Sequence, residues 1–231
     1  MADLERPELE KRDIVHTLVK AGIASVPGIG GAVAELFSMI APPLERRRNQ
    51  WLDDIAERLK SLEEVVDGFR VKDLSQNETF ITTMMHATQA AIRNHQQEKL
   101  EALRNAVLNA AMPGAPEDDR QLIFLNFINE LTPWHLRVLH FFDDPRTWGS
   151  QHNISYPNWQ GGSPAILLAS TFEELRGRRD FYDQVVRDLY YRGLMSIDSL
   201  HITMTVPGMF DSRTTEMAKG FLAFISSPIS E

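Results

Sequence analysis

Residues 51–69 read WLDDIAERLKSLEEVVDGF, and apolar residues recur in this stretch at the spacing of one helical face. Intervals of 3, 4, 3, 4 and 3 residues separate the positions Leu52, Ile55, Leu59, Leu62, Val66 and Phe69. This heptad rhythm predicts an apolar seam along a helix of about five turns. A coiled coil normally sustains the rhythm over three or four heptads, so a helix within a bundle is the better interpretation. The stretch therefore predicts a mainly α-helical fold.

Upstream of the seam, residues 21–44 read AGIASVPGIGGAVAELFSMIAPPL and contain a single acidic residue and no basic one. Pro27 and the glycines behind it interrupt this apolar run, because proline removes a backbone donor and each interior glycine costs a helix about 1 kcal/mol. A helix spanning a bilayer needs about 20 apolar residues without such breaks. The stretch instead predicts an apolar hairpin whose second helix covers 30–40 and is stopped by Pro42 and Pro43.

Three uses fit this apolar hairpin. It packs inside the protein, it lies in a membrane interface with the arginines at 46–48 facing anionic headgroups, or it self-associates through its small residues. The arginines also fit a solvated helix start beside acidic neighbours. The residues predicted for membrane association or self-association are Ile29, Val33, Leu36, Phe37, Ile40, Arg46, Arg47 and Arg48.

The composition bounds the class of protein. At 231 residues, with 43% hydrophobic and 24% charged residues, the chain has the make-up of a globular protein of one or two domains. A net charge of −8 argues against strong phosphate-driven binding of nucleic acid. The absence of cysteine excludes disulfides and thiolate metal sites. The N-terminal residues mix acidic and basic side chains, unlike a secretory signal, so we expect cytoplasmic residence or a peripheral position at the inner membrane.

The order of the segments suggests two parts joined by a linker. Residues 1–112 are predicted to form a helical bundle that includes the apolar hairpin. A capping box at Ser75-Gln76-Asn77-Glu78 predicts the start of a long helix within this part. The sequence PGAPEDDR at 113–120 is typical of a turn or linker. Residues 121–231 form the second part, in which Thr132-Pro133 predicts a helix start with proline at its first position.

Near the end of the chain the rhythm changes from helical to alternating. Residues 194–197 and 201–206 are rich in β-branched residues and are predicted to pair as a hairpin around Asp198-Ser199. Short helices, a longer helix, this hairpin and a final helix follow one another in an order that resembles a winged-helix module over 121–231. The resemblance implies an alternative function, a DNA-binding regulator that uses residues 178–206. Acidic residues outnumber basic ones in this part, so a protein partner is favoured over nucleic acid.

The whole chain also resembles uncharacterised bacterial helical proteins that combine a Pro-Gly-Ile-Gly-Gly segment with a winged-helix-like C-terminal region. The segment is Pro27–Gly31 here, and the residues 98–109, 131–139 and 181–194 contribute to the likeness. This resemblance implies a helical fold and a bacterial source. It implies no activity and no site residues.

The sequence offers no catalytic, cofactor or metal site. The histidine pairs at 86/95 and 135/140 lack the four-residue spacing that places two ligands on one helical face. His140 with Asp143 or Asp144 is a candidate acid–base pair, although a helix cap would place aspartates at the same positions. No nucleophile elbow or phosphate-binding loop is present. We therefore predict a non-enzymatic protein without a cofactor.

A long loop is predicted over residues 146–164, which are rich in Gly, Asn, Ser and Pro. Its aromatic residues Trp148, Tyr156 and Trp159 are candidates for contact with a protein partner, since exposed aromatics anchor interfaces. The alternative is that they fold back over an edge of the core. Taken together, the sequence predicts an interaction protein that associates with membranes or with itself through residues 21–48.

Overall fold

The computed structural model describes residues 30–229, with side chains from residue 39 onward. This part of the chain is mainly α-helical and contains isolated β-bridges but no strand, which confirms the predicted helical class. The chain divides into two compact units, Met1–Asp54 and Ile55–Glu231. The predicted linker at 113–120 lies within the second unit.

In chain order the helices are α1 (Gly30–Val65), α2 (Glu78–Arg93), α3 (Gln97–Ala111), α4 (Asp118–Glu130), α5 (Pro133–Asp143), α6 (Pro145–Gln151), α7 (Pro164–Thr171), α8 (Arg179–Tyr191), α9 (Val206–Met209) and α10 (Glu216–Ile225). Two short 3-10 helices occupy Val71–Gln76 and Glu173–Leu175.

The first helix corrects the prediction that two prolines end a short helix. α1 begins at Gly30 and continues through Pro42 and Pro43 to Val65. Each proline costs about 3 kcal/mol inside a helix, but this cost is local. The turns that follow are rich in strong helix formers and carry a buried apolar seam, which favours continuation. The predicted first arm of the hairpin and its Pro-Gly turn lie outside the described residues.

The apolar seam of α1 is present, with one change at its start. Ile55, Leu59 and Leu62 are buried as predicted. Trp51 is also buried, whereas Leu52 is 38% exposed. Trp51 precedes Ile55 by four residues, so it continues the same helical row, and its side chain removes more apolar surface from water than leucine does. The spacing of apolar residues predicts burial of Leu52, whereas its neighbour Trp51 occupies the buried position.

In the second unit, α2, α3 and α4 pack on one another and α10 packs on α3. The ring of Phe124 on α4 lies 5.6 Å from that of Phe221 and 5.5 Å from that of Phe224 on α10. Phe124 and Phe221 are fully buried. An aromatic cluster therefore joins the C-terminal helix to the middle of the chain.

Two asparagines of α3 bind the C-terminal end of α10. Asn105 Nδ2 donates to the carbonyl of Ile225 at 3.0 Å. Asn109 Nδ2 donates to the carbonyls of Phe224 and Ser226 at 2.9 and 2.8 Å. The last carbonyls of a helix have no partner within the helix, so these side chains supply the missing donors.

Two helix starts show which capping residues the chain uses. α5 begins after Thr132 with Pro133 at its first position, as predicted. The N-cap of α2 is Asn77, whose side chain accepts from the backbone N–H of Phe80 at 3.0 Å, and the predicted N-cap Ser75 belongs to a 3-10 helix instead. Asparagine and serine are equally good caps, so the local signal does not choose between them.

The predicted hairpin at 194–206 is wrong. Met195 forms an antiparallel bridge with Thr214, and Met204 forms one with Gly162. Between them Leu200 is fully buried, and its carbonyl accepts from the backbone N–H of Ala165 at 3.0 Å. The two predicted strands therefore pair with different parts of the chain instead of with each other, and Leu200 packs into the core between them. The predicted loop at 146–164 is also shorter, since α6 and α7 occupy its ends.

Candidate functional site

The surface segment formed by residues 39–48 of α1 combines uncovered apolar side chains with three arginines. Met39, Ile40 and Leu44 are 67%, 40% and 38% exposed. The arginines at 46–48 follow within one turn and are all exposed. Isolated exposed apolar residues are common on proteins, but apolar residues next to a basic cluster on one helix are typical of an association surface.

The helical geometry of α1 aligns these groups. Ile40 and Leu44 are four residues apart and therefore lie one above the other on the same face. Arg47 is three residues beyond Leu44, so it extends this face, while the neighbouring arginines lie to either side. The long apolar stem of an arginine can lie along such a surface with its charge held outward. The segment thus presents an apolar row that ends in positive charge.

The predicted association residues fall partly on this segment. Ile29 lies outside the described residues, and Val33, Leu36 and Phe37 lie on α1 where only the backbone is described. Ile40 and the arginines at 46–48 are exposed. The sequence prediction omitted Met39 and Leu44, although Leu44 follows Ile40 at the helical spacing of four and was detectable from that periodicity.

The candidate partner-contact aromatics are engaged within the protein. Trp148 lies edge-on to Phe141, with ring centroids 6.3 Å apart. Tyr156 lies 5.2 Å from Phe210 and 5.8 Å from Trp159. These contacts match the alternative interpretation, in which the aromatics fold back over the core. Their use by a partner stays a prediction.

A buried polar cluster that the sequence did not indicate lies where α3, α5 and α8 meet. Lys99 is only 5% exposed as a whole residue, and its ammonium group donates to the carbonyl of Asn129 at 2.8 Å. Burial lowers the pKa of Lys99, because the charged form is poorly solvated there.

Beside this lysine, His135 is 8% exposed and bonded at both ring nitrogens. Its Nδ1 accepts from the backbone N–H of Thr132 at 3.2 Å, which assigns the ring proton to Nε2. Nε2 lies 3.4 Å from Asp188 Oδ2. Burial lowers the pKa of His135, while Asp188 acts in the opposite direction. The neutral imidazole links the start of α5 to α8.

The aspartates of the candidate acid–base pair at the end of α5 accept structural hydrogen bonds. Burial lowers the pKa of His140, and the nearby Asp143 raises it to a smaller extent. Asp143 accepts a hydrogen bond from Thr214 Oγ1 at 2.6 Å. Asp144 caps α6, since its Oδ1 accepts from the backbone N–H of Thr147 at 3.0 Å. These aspartates hold helices and turns, and no group of three or more possible metal ligands occurs in residues 39–229.

Two of the four arginines in the predicted DNA-binding region pair with acidic side chains. Arg179 lies 3.4 Å from Asp183 on the same helix. Arg192 forms an ion pair with Glu130 of α4. Phosphate contacts by these arginines would require the existing ion pairs to be broken.

Comparison with protein-family models, with curated proteins and with solved structures finds no match to this chain. Among the described residues, no helix is both long and apolar enough to cross a bilayer. The function must therefore be inferred from the residues and their arrangement.

Proposed function

We propose that the protein is a non-enzymatic interaction protein that binds anionic membrane surfaces peripherally through residues 39–48 of α1. The observation that supports this is the exposure of Met39, Ile40 and Leu44 directly before the arginines at 46–48. The apolar side chains enter the boundary between headgroups and acyl chains. The guanidinium groups remain among the lipid phosphates.

The two kinds of side chain supply comparable free energies. Fully burying a large aliphatic side chain contributes about 1.5–3 kcal/mol, and each arginine near an anionic leaflet contributes about 1 kcal/mol. A single signal of this size gives only weak, reversible binding, and stable association requires two. The segment provides both within ten residues.

The charge of the segment also favours a membrane over self-assembly. Two copies that packed through residues 39–48 would bring six guanidinium groups close together, and like charges across an interface are unfavourable. Anionic headgroups remove this repulsion. The alternative of DNA binding by residues 178–206 is less favoured, since two of the arginines in this region, Arg179 and Arg192, already have acidic partners.

The test is flotation of purified protein with vesicles of phosphatidylcholine alone or mixed with phosphatidylserine. One variant carries Arg46→Gln, Arg47→Gln and Arg48→Gln. The matched control carries Lys60→Gln, Arg70→Gln and Lys72→Gln, which are also exposed, so that removing three positive charges takes both variants from −8 to −11. We expect the wild type and the control to float with the anionic vesicles. The three substituted arginines together contribute about 3 kcal/mol of binding free energy, so the arginine variant is expected to have a vesicle partition coefficient about 100-fold lower than the wild type.

The apolar row has its own variant, Ile40→Ser with Leu44→Ser, which keeps the charge and is expected to weaken flotation as well. A wild-type protein that remains at the bottom with both kinds of vesicle contradicts the proposal. So does equal loss of flotation in the control variant, because binding would then follow net charge alone. A dimer in sedimentation velocity that dissociates in the Ile40→Ser, Leu44→Ser variant would support self-assembly instead.

A further inference from the structure

A largely apolar cavity of about 290 Å³ lies where α3, α5, α6 and α10 meet. Three of its lining residues, Ala102, Leu136 and Ile225, are only 4–5% exposed. Because these residues belong to the core, the cavity reaches into the interior of the second unit. A cavity of about 150 Å³ with aliphatic and aromatic walls is large enough to hold benzene. The cavity between these four helices therefore has room for one ring with a short side chain.

Two polar groups in the wall of this cavity have no hydrogen-bond partner in the described part of the chain. The imidazole of His140 on α5 is partly buried and forms no hydrogen bond with any residue from 39 to 229. Burial lowers the pKa of His140, so its ring is neutral at pH 7. The indole N–H of Trp148 on α6 also lacks an acceptor among these residues. Such groups are satisfied by water or by a ligand, and an apolar wall offers water few other partners, which favours a ligand.

Neighbouring rings hold the indole of Trp148 in place. It stacks on the ring of His152 with centroids 4.2 Å apart and planes 14° apart. The rings of Phe141 and Phe172 lie 6.3 and 6.0 Å from it. The direction of its N–H group is therefore set by packing within the protein, and a ligand does not have to order it.

The other charged groups that line the cavity already have partners. Glu98 accepts a hydrogen bond from Arg137, and both residues line the cavity. Glu101, which also lines it, accepts from Arg58 at 2.8 Å and from Arg104 at 3.2 Å. A charged ligand would have to break one of these ion pairs, and an anion would in addition face two carboxylates. The cavity therefore suits a neutral molecule.

We propose that this cavity binds a small neutral phenol with one aromatic ring and a short apolar side chain. The phenol oxygen accepts from the indole N–H of Trp148, and the phenol O–H donates to the unprotonated ring nitrogen of His140. A hydroxyl group both donates and accepts, so it can serve both unpaired groups, whereas an ether only accepts. A phenol is also uncharged at pH 7, since its pKa is about 10. Its ring and side chain cover Leu136 and Ile225.

The test is calorimetric titration of the full chain with 4-ethylphenol, 4-ethylanisole and 4-ethylbenzoate. The anisole has a methoxy group in place of the hydroxyl, so it cannot donate, and the benzoate is an anion of similar shape. We expect saturable binding of 4-ethylphenol with a Kd of roughly 1 mM or lower, as is usual for so small a ligand. The other two ligands are expected to bind at least about fivefold more weakly.

Substitutions identify the groups that hold the ligand. His140→Leu removes the acceptor and is expected to weaken binding of 4-ethylphenol at least about fivefold. The matched control is His86→Leu, the same change at an exposed histidine of α2 that does not line the cavity, and it is expected to bind as the wild type does. His140→Gln keeps a donor and an acceptor, so its affinity is expected to lie between those of the wild type and His140→Leu. Trp148→Phe keeps an aromatic ring without the N–H and is also expected to weaken binding.

Three results would overturn the proposal. The first is the absence of saturable binding at roughly 10 mM 4-ethylphenol. The second is equal affinity in His140→Leu, or equal affinity of the wild type for 4-ethylanisole, because binding would then follow apolar area alone. The third is tighter binding of 4-ethylbenzoate than of 4-ethylphenol, which would assign the cavity to an anion.

This inference is independent of membrane binding, because no residue of the segment 39–48 lines the cavity. His140→Leu is expected to float with anionic vesicles as the wild type does. The arginine variant at 46–48 is expected to bind 4-ethylphenol normally. Failure of one proposal can therefore be distinguished from failure of the other.

Discussion

Replacing Asn109 tests how the C-terminal end of α10 is held. Its side-chain amide donates to the carbonyls of Phe224 and Ser226, and also to that of Asn105 at 2.9 Å. A net hydrogen bond contributes about 1 kcal/mol, and the two amide protons are shared among these acceptors. Asn109→Ala is therefore expected to lower the free energy of unfolding by about 2 kcal/mol.

Asn109→Asp is expected to cost more than Asn109→Ala. It removes the same donors and places a carboxylate against carbonyl oxygens at the negative end of a helix. For a partly exposed group, this repulsion adds about 1–2 kcal/mol, which gives a total of about 3–4 kcal/mol at neutral pH. The folded state disfavours the charged form, so it raises the pKa of Asp at this position above the unfolded value. The additional loss is therefore present above the folded pKa and disappears as the pH falls below it.

The assay is urea denaturation at about pH 7 and about pH 4, followed by circular dichroism, with the slope m checked for constancy. Asn158→Asp introduces the same charge at an exposed position and serves as the control. If Asn109→Asp is as stable as Asn109→Ala at neutral pH, or if the difference between them does not shrink on acidification, the proposed capping by Asn109 is wrong.

Two further predictions concern buried groups of the second unit. Lys99→Met is expected to be at least as stable as the wild type at pH 7, since it removes a poorly solvated ammonium group. Burial lowers the pKa of Lys99 in the folded state, so between the folded and unfolded pKa values the unfolded chain binds more protons than the folded one. The free energy of unfolding of the wild type is therefore expected to rise with pH across this range. Urea denaturation is expected to show no such rise for Lys99→Met. Gly149→Ala would place Cβ 2.8 Å from Cε2 of Tyr156, whose hydroxyl is hydrogen-bonded to Thr171. We expect this clash to lower the free energy of unfolding by about 1–3 kcal/mol, measured by thermal denaturation. The additional change Tyr156→Leu is expected to restore part of this loss.

Features that depend on local sequence were predictable. The spacing of Ile55, Leu59 and Leu62 identified the buried face of α1, and Thr132-Pro133 identified the start of α5. Both signals act within one or two helical turns. Between neighbouring candidates of similar propensity, such as the caps Ser75 and Asn77, the local signal did not decide.

Features that depend on distant parts of the chain were not predictable. The alternating residues near 200 suggested a hairpin, but burial of Leu200 and the bridge from Met204 to Gly162 direct them elsewhere. The buried polar cluster brings together Lys99, His135 and Asp188, which are far apart in sequence and carry no shared motif. Their proximity depends on the tertiary packing of separate helices.

The bonds between α3 and the end of α10 also have a consequence for protein synthesis. Asn105 and Ile225 are separated by 120 residues, which a ribosome adds in roughly 6–24 s at about 5–20 residues per second. Throughout this time α3 and Phe124 of α4 have no C-terminal helix to cover them. A nascent chain that stalls before residue 225 therefore displays an aromatic surface that a finished chain hides, and chaperones or proteases that recognise such surfaces would distinguish the two.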